Sequence, residues 1–284
     1  MRQVHILRGM LCFFVVCGAT TISGCNQTEH SSSRTETAST LPPDLQKTVD
    51  TLIGAIEAFD VSAILSAYTD DFISGTGRSK QDVGNIFTQL RSNQVSLHVQ
   101  DIEVGEVEAT QAQISMTIRV RYSGRFRNVG EGPVVLTDVL RHSLRKETSG
   151  WKIYTDLRLA SYQEGRYGDR SPNVHIELPK KLPSEMNYPA TITVQREKNT
   201  VYQIMLGNYP EDPGFLPPPD VVTELPPDGV LKVTLLTNPQ GSSEMVRLTV
   251  MALTSDGEPL GATLISTFVP GKPRHQPPSS QASV

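Results

Sequence analysis

The sequence predicts three helices on a curved antiparallel sheet, an α+β unit, followed by an all-β sandwich. Three observations carry that expectation. From Leu45 to Leu90 apolar residues recur at spacings of three and four, the period of a helix face. From Val95 to Leu159 they alternate with polar residues, the period of a half-buried strand. From Val174 to Phe268 short apolar runs are separated by turn dipeptides, as in a sandwich.

The elements follow in order. Pro42-Pro43-Asp44 opens the first helix, with Leu45, Val49, Leu52, Ile53, Ile56 and Phe59 on its apolar face. Asp60 is placed to cap a second, short helix carrying Val61, Ile64, Leu65 and Tyr68. Thr69 to Ile73 leaves that helix, and Gly75 to Gly77 reads as a turn. Ser79 and Asp82 have the spacing of a capping box, starting a third helix with Val83, Ile86, Phe87 and Leu90 on one face.

Strands come next. Val95, Leu97 and Val99 alternate, and the phase slips before Ile102 and Val104, which predicts a bulge near Gln100. Ile114, Met116, Ile118, Val120 and Tyr122 alternate cleanly. Val134, Leu136, Leu140 and Leu144 share a face that Asp138 and His142 interrupt. After a turn at Ser149-Gly150, the inward set of the last strand is expected to be Trp151, Ile153, Leu157 and Leu159.

Tyr162 to Pro172 is rich in Gly and charge and reads as a linker, which sets the units at 41–165 and 173–270 with the join at 166–172. Six strands are expected beyond it: Val174 to Leu178, Ala190 to Gln195, Val201 to Leu206, Val230 to Leu236, Met245 to Leu253 and Thr263 to Phe268. Asp228-Gly229, Gln240-Gly241 and Asp256-Gly257 mark turns between them. Tyr209 to Pro227 reads as a Pro-rich loop centred on Phe215 and Leu216, a preformed extended surface for a partner or a crossover between sheets. Residues 25–40 and 271–284 are polar and read as a flexible tether and a disordered tail.

Composition bounds the function. At 284 residues the chain can hold two ordinary domains. Removal of residues 1–24 takes Arg2 and Arg8 and moves the formal charge from −4 to −6, which does not suit nucleic-acid binding. Cys12, Cys17 and Cys25 are the three cysteines, so the folded part has no disulfide and no thiolate ligand. The histidines show no zinc spacing, and no phosphate-cradling Gly loop or nucleophile elbow is present. No metal or cofactor is expected.

Three resemblances follow from these residues. Arg2 and Arg8, the apolar run Ile6 to Val16, and Ile22-Ser23-Gly24-Cys25 resemble a bacterial lipoprotein signal peptide with its lipobox. The resemblance implies that residues 1–24 are removed and Cys25 carries diacylglycerol and usually an acylated amine, enough chains for a stable membrane anchor. Asn26 in place of an Asp implies an outer-membrane lipoprotein facing the periplasm, or the cell membrane in a source without an outer membrane. Ala55 to Phe72 and Ser149 to Asp156 resemble the nuclear transport factor 2-like (SnoaL-like) domain over residues 41–165. That resemblance implies a half-open cone, with helices on a concave sheet around a pocket. Residues 173–270 resemble an immunoglobulin- or fibronectin-like module.

Candidate chemistry lies on the expected pocket face. Asp138 and His142 stand about 13 Å apart along one strand face, so only a ligand could bridge them as acid and base. Tyr68 and Asp71, at the end of the second helix, are placed to border the pocket. Enzymes of this superfamily use pocket Asp and His residues, but their motifs do not map onto this chain, and Tyr154-Thr155-Asp156 lacks a His many relatives carry there. Arg119, Arg121, Arg141 and Arg145, with Lys152 and Arg158, are expected on the opposite face as a basic surface for an anionic envelope component or acidic partner.

Two function classes stay open. One is a non-enzymatic envelope lipoprotein that binds or scaffolds an envelope partner. The other is a small-molecule carrier or enzyme that takes a small apolar ligand in the cone, through Asp138, His142 and Tyr68. A cavity with both polar side chains converging favours the second class; a filled cone favours the first.

Overall fold

Residues 41–271 are described by a computed structural model, except residues 94, 127, 184–186, 211–219 and 238–240. The expected signal segment, Cys25, the tether, Phe215, Leu216 and the tail beyond residue 271 lie outside the described residues. The described chain is a sheet-rich α+β fold, with an eight-stranded antiparallel sheet, a three-stranded sheet and few helices.

Helix α1 (Pro43–Glu57) starts on a proline, whose missing N–H would have had no intrahelical partner there. It buries Leu45, Val49, Leu52 and Ile56. Asp60 caps α2 (Val61–Ser66) by accepting from the Ala63 amide at 3.0 Å. Helix α3 (Lys80–Ser92) has the expected capping box: Ser79 accepts from the Asp82 amide, and the Asp82 carboxylate accepts from the Ser79 amide. Such caps stabilise a helix by about 1 kcal/mol.

Strands β1 (Ser96–Val107), β2 (Gln111–Phe126), β3 (Gly130–Glu147) and β4 (Gly150–Tyr167) form an antiparallel meander. The expected bulge falls on Gln100, which is skipped between the pairs Val99–Ile118 and Asp101–Thr117. The helices cover one face, where Ile114, Met116, Ile118, Val120, Leu136 and Leu144 are buried.

Strand β4 departs from the expected phase. Pairing with β3 passes from Ser143–Thr155 to Leu144–Ile153, and from Val139–Ala160 to Leu140–Arg158, so Tyr154 and Leu159 are each skipped. A one-residue bulge reverses the face taken by every later side chain. Trp151 and Ile153 are buried as expected. Between the bulges Asp156 and Arg158 turn to the helix-covered face, opposite His142 and Leu140, while Leu157 opposes Arg141 on the outer face. Arg158 therefore does not belong to the outer basic set.

Strand β4 also runs farther than expected. Residues 162–167, read as the start of a linker, are strand. They lie between β3 and β11 (Pro259–Val269): Tyr162 to Gly165 pair with Thr137 to Val134, and Tyr162 to Tyr167 pair with Thr267 to Ala262. The inward positions from 161 to 167 are Ser161, Gln163, Gly165 and Tyr167, of which Gln163 is half-buried and the others buried, with no aliphatic residue among them. The other edge of β4, at its N-terminal half, is covered by residues 67–75: the Ile153 amide donates to Ala67 and the Gly75 amide to Asp156.

The large sheet continues from β11 through β10 (Glu244–Leu253), β7 (Val201–Pro210) and β8 (Val221–Glu224). The smaller sheet contains β5 (Val174–Glu177), β6 (Asn187–Val194) and β9 (Val230–Leu236). Ala190, Ile192 and Val194 of the smaller sheet share a core with Ile204, Val246, Leu248 and Ile265 of the larger. Glu244 is fully buried and accepts from Tyr188 and Asn208, both at 2.8 Å. Strand β8 was not expected; it occupies part of the run read as a Pro-rich loop. A third core of Val134, Tyr167, Ala262 and Leu264 sits where the two halves meet. There Gly132 admits no side chain, because a Cβ would stand 1.7 Å from the Arg166 carbonyl oxygen.

Candidate functional site

The covered face of the meander and the apolar face of α3 do not fill the space between them. A cavity of about 120 Å³ remains. Val83, Ile86, Phe87 and Leu90 line it from α3, at the spacing that puts four residues on one helix face. Leu97, Ile118, Val120, Leu136 and Leu140 line it from the strands. Ser74 to Thr76 and Arg78 supply another wall, from the loop that hydrogen-bonds to β4. The polar part of the lining includes Tyr68, Asp138, Asp156 and Arg158. A larger depression near Leu41, Lys47 and Asp50 lies along the first turns of α1, apart from all of these groups.

Asp138 and Arg158 meet across the β3–β4 ladder, with Oδ2 3.7 Å from Nη2 and each side chain 9% exposed. That is an ion pair beyond hydrogen-bonding distance. Oδ1 of Asp138 is buried and accepts no hydrogen bond. Tyr68 is buried, its ring edge-on to Phe72 at 4.7 Å. Burial, with a smaller contribution from the Asp156 carboxylate, raises the Tyr68 phenol above its ordinary pKa and keeps it protonated.

Two of the four expected pocket residues lie elsewhere. Asp71 is at the surface, where Arg145 grips it through two bonds, Nη2 to Oδ1 at 2.8 Å and Nη1 to Oδ2 at 3.1 Å. The Arg145 hydrogen bond holds the Asp71 carboxyl below its usual pKa. His142 shares the face of Asp138, as the alternation predicted, but it is 2% exposed and does not line the cavity. Both its ring nitrogens lack a hydrogen-bond partner, and burial lowers its pKa from 6.5 to about 4. It is a neutral core residue at neutral pH.

The outer-face arginines are dispersed. Arg119 and Arg121 pair with Thr137 and Val135, and Arg141 lies farther along with Ser115. Arg145 is engaged by Asp71 and by Glu147 at 3.0 Å. Lys152, beside Arg145 in the ladder, donates to the Ser66 carbonyl. Arg121 and Arg141 are the exposed members of the set. Among the described residues no cluster of His, Cys, Asp and Glu is arranged to hold a metal, and no helix is long and apolar enough to cross a membrane. Sequence reasoning missed Asp156, Arg158 and Arg78 as cavity residues. The broken alternation after Ile153 was the available sign for the first two.

The fold and cavity thus define a sheet-rich α+β protein with an internal site of mixed apolar and ionic lining. No protein-family profile and no curated protein matches the chain. Solved structures match part of it. A Novosphingobium aromaticivorans protein provisionally named an aromatic ring hydroxylase is 18% identical, over 40% of this chain and 85% of its own, with a TM-score of 0.32. A Xanthomonas campestris protein provisionally named a calcium/calmodulin-dependent protein kinase II association domain is 12% identical, over 46% and 96%, with a TM-score of 0.34. A Nostoc punctiforme protein of unknown function with a cystatin-like fold is 10% identical, over 40% and 86%, with a TM-score of 0.30. Likeness of that degree carries no argument about activity.

Proposed function

We propose that the chain is a non-enzymatic binding protein of the bacterial envelope. In this reading a lipid on Cys25 tethers it to the outer membrane, facing the periplasm, and its helix–sheet half holds a small apolar molecule. The observation that carries the reading is the cavity beneath α3, with Asp138 in its wall and His142 outside it. A carrier needs the cavity. The acid–base alternative needs a carboxylate and an imidazole that reach one ligand, and a sealed imidazole does not meet that need.

The helix–sheet half is read as a nuclear transport factor 2-like cone and the second half as an immunoglobulin- or fibronectin-like sandwich. The sandwich and the exposed Arg121 and Arg141 are the surfaces for an envelope partner or an anionic envelope component. Support for the tether is the sequence Ile22-Ser23-Gly24-Cys25. Intact mass spectrometry should find acyl chains on a chain beginning at Cys25; a mature chain starting elsewhere removes the tether.

The cavity reading is tested with single-ring apolar compounds on the full-length chain in detergent, by thermal shift. Val120→Phe places a ring where the cavity is. Stabilisation of the wild type that Val120→Phe abolishes is the expected result. No stabilisation, or stabilisation that Val120→Phe leaves intact, overturns the reading.

A further inference from the structure

Resting on the cavity reading above, we infer that the ligand is a neutral molecule about the size of one six-membered ring, bearing a hydroxyl group that donates to Asp138. Size, charge and an unmet acceptor each point to it.

Size comes from the cavity, about 120 Å³. An apolar cavity of about 150 Å³ holds one benzene molecule. A fused-ring or long-chain ligand exceeds that volume.

Charge comes from the lining. Asp138, Asp156, Arg78 and Arg158 all line the cavity, so the formal charges of the wall cancel. A charged ligand would lose its water shell in an apolar cavity with no opposite charge left over to offset the loss. A neutral ligand carries no such penalty.

The acceptor is Asp138. Its Oδ1 is buried and unbonded, and its Oδ2 is 3.7 Å from the nearest Arg158 nitrogen, beyond hydrogen-bonding reach. Buried carboxylates ordinarily accept hydrogen bonds, and leaving one without them costs free energy. The terminal torsion of an aspartate is soft, so the carboxylate can turn toward a donor in the cavity. A hydroxyl supplies that donor without adding charge. His142 is also buried and unbonded but lies outside the cavity, and Glu244 already accepts from Tyr188 and Asn208.

Isosteric pairs test this on the full-length chain in detergent: phenol against toluene, and cyclohexanol against methylcyclohexane, with benzoate as the charged probe. Titration calorimetry or ligand-observed magnetic resonance reads the dissociation constants. The hydroxyl member of each pair should bind roughly tenfold or more tightly than its partner, as for a hydrogen bond to a charged group. Benzoate should bind more weakly than phenol. In Asp138→Asn, phenol and toluene should bind within about threefold of each other, on the same scale. If toluene matches phenol on the wild type, the hydroxyl assignment is overturned while the cavity reading stands. If benzoate binds best, neutrality is overturned. If no probe binds, the cavity reading itself falls, and this inference with it. A folded Asp138→Asn that keeps the wild-type ratio removes Asp138 as the acceptor; should that variant not fold, the wild-type ratios decide alone.

Discussion

Arg158 and Asp138 stand side by side on the helix-covered face of β3 and β4, Nη2 3.7 Å from Oδ2. The skipped residue Tyr154 puts Arg158 on that face; without that bulge, following Trp151 and Ile153, it would point to the opposite one. Either substitution removes the attraction between two charged side chains that are each 9% exposed. Asp138→Leu should therefore cost about 3–5 kcal/mol of stability by urea unfolding, and Asp138→Leu with Arg158→Leu should recover most of it. Strictly additive losses would contradict the pairing.

The surface pair gives the contrast. Asp71 and Arg145 make two short bonds, but the Asp71 side chain is 66% exposed. Asp71→Ala should cost under about 1 kcal/mol, because water and salt screen such pairs. A loss as large as that of Asp138→Leu would mean that the segment 67–75 depends on this contact to stay on β4.

His142 predicts an acid-sensitive fold. Unfolded, its imidazole titrates near 6.5; folded, burial holds it down to about 4. Between those values the unfolded chain binds a proton that the folded chain does not, so stability falls as pH falls through that window. Above the window the contribution is constant, and below it both states are protonated. His142→Met keeps the side-chain volume without a titrating group. It should remove up to about 3 kcal/mol of the acid loss, read as the difference between variant and wild-type urea curves from about pH 4 to pH 8. Parallel curves would contradict the assignment.

What the sequence disclosed was local. The Asp60 cap, the Ser79–Asp82 box and the Gln100 bulge each depend on a few neighbouring residues, and each is found. The face of Asp138 and His142 followed from alternation along one strand. What stayed hidden depends on register and depth. The bulges of β4 are fixed by pairing to β3 and to residues 67–75, so Asp156 and Arg158 could not be placed from their own run. Arg145 finds Asp71 seventy-four positions away. The depth at which His142 sits is set by the elements packed over it. Strand β8 has four residues in a Pro-rich run, too short for a periodic signal.

The join between the halves makes a separate prediction. The amides of residues 162–167 sit in a ladder flanked by β3 and β11, so their hydrogen exchange should be as slow as that of Ile114 to Val120. Gly132→Ala would drive a methyl into the Arg166 carbonyl and should speed exchange across this stretch first. Fast exchange of residues 162–167 in the wild type would return them to a linker.

Methyl resonances report on the cavity residue by residue. Cyclohexanol added to the methyl-labelled, full-length chain in detergent should shift Leu90, Leu97, Ile118, Val120, Leu136 and Leu140, which line the cavity. The methyls of Ile192, Ile204 and Leu248, in the sandwich core, should stay in place. Saturable shifts confined to the first group are the result this account predicts. Shifts spread over both groups, or none at concentrations that saturate a weak site, would contradict it.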